Sequence, residues 1–310
     1  MSEFELRTMV DGDRNEVAEL ICSSMNTWDI LHGMAPGRFT GGPAQTAVFH
    51  EVYEELDPGH CLVAQNRDTA TLAGSCFFRA RETHVSLGIM NVHPNYFGRG
   101  IAKQLLDHII AFQEARGVPL RLVSSAMNLE SFSLYTKAGF VPRLLYQDIV
   151  LQVPEVGLDV ALDGIEHVRD GTVEDAEALA ELELEVSGVA RRHDYRFFAE
   201  NRSGFWHLSV YEGPGGRLSG YLASIGHPLL LELGPGVARD EKVAAALLIA
   251  ELDRYRGRSP FFVVPVECSE LVRLGYRLGG RNTELHVAQV RGPAESFRGP
   301  TFPTFMPETG

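Results

Sequence analysis

The stretch VSLGIMNVHPNYFGRGIAKQLLDHIIAF, residues 85–112, reads as a buried strand, a glycine-containing turn and an amphipathic helix in direct succession. VSLGIMNV is apolar on both faces, the pattern of a central strand covered by helices on each side. Pro94 stops it. The spacing Ile101, Leu105, Ile109 and Phe112 then gives one apolar stripe at helical period, which predicts a helix starting at about Gly98 to Gly100. Without Cβ atoms, Gly98 and Gly100 let a ligand approach the backbone, and the N–H groups of a first helical turn have no partner inside the helix. With the helix dipole behind them, such amides suit a pyrophosphate. A tight strand-to-helix turn also calls for glycine on steric grounds alone, so the surrounding sequence has to separate the two readings. A P-loop would need GxxxxGK[ST], and a dinucleotide fold GxGxxG after the first strand; the sequence has neither.

Working outward, the coarse order is strand 4–9, helix 13–26, helix 43–56 and strands 61–66, 71–80 and 84–92. Helix 99–115, strand 120–126, helix 129–138 and strands within 140–153 follow, a mixed α/β plan. In NLESFSLYTKAGF, residues 128–140, Asn128 is a good N-cap, Glu130 favours the positive helix end, and Gly139 is placed to be the left-handed residue that stops the helix. Ser131 and Tyr135 share a face, four residues apart. Phe132 and Thr136 occupy the neighbouring stripe, so the Tyr135 face need not be the one packed into the core.

Together, VHPNYFGRGIA and NLESFSLYTKAGF resemble the GNAT acyltransferase superfamily. Its pattern is Gln or Arg, two residues, Gly, any residue, then Gly or Ala, followed by a helix. Here Asn95 takes the Gln/Arg position, Gly98 and Gly100 take the two small positions, and Phe97 stands where a basic residue is usual. The resemblance implies acetyl-CoA as cosubstrate, with Met90, Asn91 and Val92 pairing with the pantetheine. It implies that main-chain amides of Phe97, Gly98, Arg99, Gly100, Ile101, Ala102 and Lys103 hold the pyrophosphate, with further contacts from Asn128 and Ser131. Tyr135 then lies beside the coenzyme sulfur. A phenol with a reference pKa of about 10 is protonated at neutral pH and can donate to a departing thiolate, whose reference pKa is about 8.5. The implied reaction is direct attack of a primary amine on the thioester, a backbone N–H near Val92 facing the developing oxyanion. For the base, Glu82, His84, Asp29, His32 and Glu54 all stay open. Cys22 and Cys76 stay open as nucleophiles. The alternative is a non-catalytic acyl-CoA-binding regulatory protein.

The plan occurs twice. TMVDGDRNEVAELI is answered by HVRDGTVEDAEALAEL, matching Asp11-Gly12 with Asp170-Gly171, an offset of 159 residues. KAGFVPRLLYQDIVLQV is answered by RLGYRLGGRNTELHVAQV, matching Gly139 with Gly275, an offset of 136. The second copy is therefore shorter, and no segment in it clearly answers the helix at 43–56. The expected organisation is two GNAT-like domains, each a twisted mixed sheet flanked by helices. The first spans 1–153 and is predicted active; a linker at 154–164 leads to a degenerate second at 165–292 and a Pro-rich tail at 293–310. The tail, with Pro293, Pro300, Pro303 and Pro307, is expected to wrap over a surface, where Phe297, Phe302 and Phe305 could close a pocket. With the 136-residue offset, Tyr135, Asn128 and Ser131 fall on Leu271, Val264 and Glu267. In LELGPGVARDEKVAAALL, Pro235 lacks an amide hydrogen, and Asp240 and Glu241 would sit in the first helical turn.

Bulk properties agree with a folded chain. Of 310 residues, 45% are hydrophobic and 22% charged, and a net charge of -13 argues against a nucleic-acid partner while suiting a cationic amine. Four scattered cysteines, Cys22, Cys61, Cys76 and Cys268, lack metal-ligand spacing, so no metal is expected. The N-terminus has no export pattern and the apolar run AAALLIA is too short to span a bilayer, which makes cytoplasmic the expected location, without a membrane partner. The acceptor and the oligomeric state are left open.

Overall fold

The computed structural model describes residues 3–34 and 37–306. By contacts the chain divides into two units. One comprises the chain up to Ala80, Val85–Leu120 and a short piece beginning at Phe305; the other comprises Arg81–His84 and Arg121–Thr304.

The first unit holds β1 (Phe4–Thr8), α1 (Arg14–Leu31), α2 (Ala47–Leu56), β2 (Cys61–Asn66), β3 (Leu72–Ala80), β4 (Val85–Val92) and α3 (Ile101–Arg116). Its strands run β1-β2-β3-β4, antiparallel throughout, with Phe4 opposite Asn66, Cys61 opposite Phe77 and Ser75 opposite Asn91. The stripe read from the sequence is the one α3 buries: Ile101, Leu105 and Ile109 are all 1% exposed or less. Each such side chain contributes about 1.5–3 kcal/mol on leaving water. Phe112 is half-buried and meets Phe78 edge-on at 5.1 Å. The Thr46 hydroxyl donates to the Ala18 carbonyl at 2.6 Å, tying α2 to α1.

The second unit takes β5 (Leu120–Ser125) apart from its first residue, then α4 (Leu129–Lys137), β6 (Val141–Val150), β7 (Val168–Asp170), α5 (Ala176–Ser187) and α6 (Arg192–Glu200). It continues with β8 (Trp206–Glu212), β9 (Leu218–His227), β10 (Leu230–Ala238), α7 (Glu241–Asp253) and β11 (Phe261–Pro265), then α8 (Ser269–Arg277), β12 (Arg281–Arg291) and β13 (Thr301–Phe302). Its strand order is β5-β12-β6-β11-β10-β9-β8-β7, with β13 on β10. β10 and β11 are parallel and their neighbours antiparallel, so this larger sheet is mixed. Helix α7 is buried along most of its length, and no described helix is long and apolar enough to cross a membrane.

The sheet explains why the units do not divide at residue 153. β6, from the first half of the sequence, has Tyr146 opposite His286 of β12 on one edge and opposite Pro265 of β11 on the other. Both neighbours come from the second half, so residues 121–150 go with it. The expected linker also packs down. Leu151 and Val153 are 1% and 0% exposed, Val153 N donates to the Arg258 carbonyl at 3.0 Å, and Leu158, Val160 and Leu162 lie against the core around α7. Nor does the tail merely cover a surface, since β13 adds to β10 with Phe302 1% exposed. Pro307 lies outside the described residues.

The repeat is real in a different register. Arg7–Asp13 and Arg169–Asp175 form the same ion pair, at 2.6 and 2.8 Å, and α1 and α5 start at 14 and 176, an offset of 162 rather than 159. The helix at 43–56 does have a counterpart, α6. The shortening lies in α5, with 12 residues against the 18 of α1, and in the connection that follows.

One buried ion pair sets a pH dependence. His207 lies between Glu251 (Nδ1 to Oε1, 2.6 Å) and Asp170 (Nε2 to Oδ1, 3.0 Å). Burial disfavours the charged ring, but the hydrogen bond and charge of Glu251 outweigh it and raise the pKa. A raised folded-state pKa gives stability that is complete below the unfolded value of about 6.5 and is lost as pH rises through the folded value. Thermal melts at fixed ionic strength should therefore show a fall in Tm above about pH 6.5 that is shallower in His207→Gln. Equal slopes in the two proteins would remove His207 as the cause.

Candidate functional site

After β4, residues 94–96 make a single 3-10 turn. His93 Nδ1 accepts from Asn95 N at 3.2 Å, Phe97 N donates to the Pro94 carbonyl at 3.2 Å, and Arg99 N to the Tyr96 carbonyl at 3.3 Å. The amides of Asn95, Phe97 and Arg99 are thus already engaged, which narrows the expected cradle to Gly98 and Gly100–Lys103. Gly98 and Gly100 have φ of 76° and 78°, left-handed values that explain the glycines, and an added Cβ would meet nothing within 4 Å at either. α3 starts at Ile101, with Gly100 as N-cap and no side-chain cap. Its first-turn amides are therefore left for solvent or a ligand.

The cations here are occupied. Arg99 pairs with Glu3 at 2.5 Å and lies 5.4 Å from the Phe4 ring centroid and 5.5 Å from that of Tyr96; Lys103 pairs with Asp107 at 2.5 Å. An anion at this turn would be held by backbone dipoles. Along β4, Met90 and Val92 are half-buried, and Cys76, Ser75 and Gly74 of β3 stand opposite Met90, Asn91 and Val92. The Asn91 side chain donates to Ser24 Oγ at 3.3 Å, and its buried Oδ1 has no hydrogen-bond partner.

Asn128, Ser131 and Tyr135 belong to the second unit. Asn128 Oδ1 accepts from Ser131 N at 3.0 Å, the N-cap read from the sequence, worth about 0.5–2 kcal/mol. The cap occupies the carbonyl oxygen, leaving ligand contact by Asn128 to its amide nitrogen. Ser131 is half-buried. Gly139 is left-handed, at φ 89°. The structure settles the face of α4 that the sequence left open: Tyr135 is 6% exposed, the buried residue of α4, with its ring 5.7 Å from Phe140, while Thr136 is exposed. The Tyr135 face is the packed one because Phe140, just past the helix, folds back beneath it.

The residues offered for the base sort by their partners. Asp29 is held by Arg38 through bonds of 3.0 and 2.8 Å, Glu82 faces Arg192 at 3.4 Å, and Glu54 accepts from Gly59 N at 3.1 Å. His84 is buried beside Thr83, and His32 is stacked on Trp28 at 4.2 Å. All four cysteines are buried and outside disulfides; burial raises the pKa of Cys22 and Cys61 and takes Cys268 to about 12, away from nucleophilic thiolate.

A group outside the sequence reading lies where β5, β12 and β6 meet. Side-chain donor atoms of Asp148, Glu284 and His286 lie within 4.8 Å of one another. His286 Nδ1 is 2.9 Å from Asp148 Oδ1, Ser125 Oγ donates to Glu284, and Met127 N donates to Ser125 Oγ at 3.1 Å, one residue before the cap of α4. Alternate polar residues Glu284 and His286 in β12 hint at this face, but its assembly depends on a strand pairing absent from the sequence pattern.

Residues 57–142 match the family model described as acetyltransferase (GNAT) domain, a span containing β4, the glycine turn and α4. A sequence search of curated proteins finds no match. Among solved structures, the chain is similar to a Pyrococcus horikoshii protein with an acetyltransferase assignment (TM-score 0.73, 16% identity, 96% of this chain and 94% of that one). It is also similar to a GCN5-related N-acetyltransferase from Sphaerobacter thermophilus (TM-score 0.61, 18% identity, 96% and 99%). A tandem GNAT protein from the clavulanic acid biosynthesis pathway matches over 94% of this chain and 100% of its own, with TM-score 0.60 and 16% identity. At these identities the likeness concerns the fold, and it extends over both halves.

Among the described residues, the corresponding positions of the second half differ from those of the matched segment. α4 and α8 start at 129 and 269, an offset of 140 rather than 136, so Gly275, not Leu271, answers Tyr135, while Cys268 and Leu271 answer Asn128 and Ser131. A Cβ on Gly275 would lie 2.9 Å from Ile149 Cδ1, so that side chain would have to shift to admit one. α7 is capped, Asp240 Oδ1 accepting from Lys242 N and Val243 N at 2.9 Å each, where α3 is open. Pro235 lies inside β10 rather than in a phosphate loop. β10 meets β11 at Glu232 and Leu233, then has Phe302 and Thr301 opposite Gly236 and Val237, with Ala238 N donating to the Pro300 carbonyl at 3.0 Å.

Proposed function

We propose that this protein transfers an acyl group, in the simplest case acetyl, from acyl-CoA to a primary amine of a small molecule, and that only its GNAT segment binds the coenzyme. The observation carrying this reading is the uncapped N-terminus of α3 behind two left-handed glycines with open space above them, set against the capped N-terminus of α7. Amides of Gly98 and Gly100–Lys103 bind the pyrophosphate, Met90–Val92 the pantetheine, and Asn128 and Ser131 add side-chain contacts. The coenzyme supplies the activated acyl group and a thiol leaving group. Tyr135 gives the phenol proton to that thiol. Making a lysine-like amine nucleophilic at pH 7 costs about 1.36 kcal/mol for each of roughly three units, so a base is needed. We place it in the Asp148, Glu284 and His286 group, where His286 Nδ1 lies 2.9 Å from Asp148 Oδ1. With its edge of β10 paired to the chain's own tail, the second half acts as a structural partner.

The test has three arms. Acetyl-CoA should raise Tm, and thiol release should appear with at least one member of an amine panel. Gly100→Ala, forced to a left-handed φ that costs a residue with a side chain about 1–2 kcal/mol, should raise KM for acetyl-CoA about tenfold with a smaller effect on kcat. His286→Gln should lower kcat while KM for acetyl-CoA stays within a few-fold. A Tm unmoved by acetyl-CoA ends the proposal; a Tm rise without turnover across the panel leaves the regulatory reading in its place.

A further inference from the structure

We infer that Asp148, Glu284 and His286 form a binding site for a single zinc ion, and that zinc there blocks proton transfer by the same group. The site itself stands apart from the acyl-transfer reading; only the block rests on it. Glu284 of β12 lies directly opposite Asp148 of β6, and His286, two residues on, shares its face of β12, opposite Tyr146. Acidic side chains directly opposite each other on paired strands repel when both are charged, so this pairing favours a cation shared between them. Asp148 is 6% and His286 8% exposed, while Glu284 is half-buried, which gives an ion a way in from solvent.

The geometry suits a metal. Donor atoms of the three side chains lie within 4.8 Å of one another, and His286 Nδ1 is 2.9 Å from Asp148 Oδ1. Zinc bonds nitrogen and carboxylate oxygen at about 2.0–2.2 Å, which puts two of its ligands about 3–3.5 Å apart. Small side-chain movements therefore close the set on an ion, which displaces the proton shared by His286 and Asp148. Glu284 is oriented from behind: Ser125 Oγ donates to it, and Met127 N donates to Ser125 Oγ at 3.1 Å, as outer partners hold the ligands of a metal. The donor set chooses the ion. One imidazole and two carboxylates suit a transition ion of the zinc class, whereas magnesium and calcium favour oxygen alone. Lone pairs committed to zinc cannot accept the proton of an amine, hence the block.

The test begins on full-length protein freed of metal with a chelator, with no coenzyme present. Calorimetric titration with zinc chloride should saturate at one ion per chain, and magnesium chloride should give no heat of binding. Ser125→Ala should weaken zinc binding by about 10–100-fold, the usual cost of losing an outer partner, and Asp148→Asn and His286→Gln should remove it. A zinc-soaked crystal should show an anomalous peak within about 2.2 Å of donor atoms from all three side chains. No saturable binding, equal affinity in His286→Gln, or a peak seated elsewhere would overturn the site, whether or not any amine is acetylated. If the ligand variants fail to fold, Ser125→Ala and the crystal decide. For the block, transfer of labelled acetyl is the readout, because a released thiol binds zinc itself. Transfer should fall in step with occupancy and return on adding chelator; transfer undiminished with the site filled would overturn the block and the placement of the base here.

Discussion

Replacing Tyr135 with phenylalanine is expected to lower kcat for acyl transfer by about 10²–10⁴-fold, the usual contribution of a positioned acid, while KM for acetyl-CoA stays within a few-fold. The fold should tolerate it. The ring is 6% exposed and lies 5.7 Å from Phe140, contacts that phenylalanine keeps, so the lost hydroxyl costs about 0.5–1.5 kcal/mol. Circular dichroism and a melt would verify the fold, and steady-state thiol release would give the rate. Burial gives the experiment its edge, because a hydroxyl on a packed helix face has little freedom to be replaced by bulk water. A kcat within threefold of the parent would mean that the proton reaches the thiol from elsewhere, and Tyr135 would then be a packing residue.

What the sequence made legible follows the range of the interactions. The turn at Gly98–Gly100 and the start of α3 are local: Pro94, two glycines and an apolar stripe act within a few residues, and the helix begins at Ile101. The Asn128 cap and the left-handed Gly139 are equally local, and both stand where expected. The orientation of α4 is not local. Its weak stripe left the Tyr135 face unassigned, and Phe140 from the next strand settled it. Helix α6 was invisible because Arg192–Glu200, RHDYRFFAE, is mostly polar and charged, and its buried members, Asp194, Tyr195 and Phe198, include an acid that pairs with Arg81 at 2.6 Å. Least legible was the placement of β6 between β11 and β12. No pattern in LLYQDIV names its partners, yet that placement joins Asp148 to His286 and moves the division between units from residue 153 to 120. The repeat registers erred by three and four residues for a related reason. Glycine and aspartate dipeptides are common at turns, whereas the Arg7–Asp13 and Arg169–Asp175 pairs, which fix the true offset, are visible only in three dimensions.

The largest effect on stability is expected at Glu183. Its carboxylate is 0% exposed and accepts from Arg191, Tyr195 and Tyr221, so Glu183→Leu leaves a guanidinium and two phenol hydroxyls buried without their acceptor. Breaking a buried ion pair from one side costs about 3–5 kcal/mol. At roughly 2–4 °C per kcal/mol for a unit of this size, Tm should fall by roughly 6–20 °C. Glu183→Gln keeps an oxygen for the tyrosines and should fall less. The double variant Glu183→Leu, Arg191→Met separates charge from packing, because replacing both members of a buried pair with apolar groups is often neutral, and it should recover most of the loss. If the double variant melts as low as Glu183→Leu, the damage comes from the tyrosine hydroxyls and the reshaped core, and Arg191 is not the charge that Glu183 is there to balance.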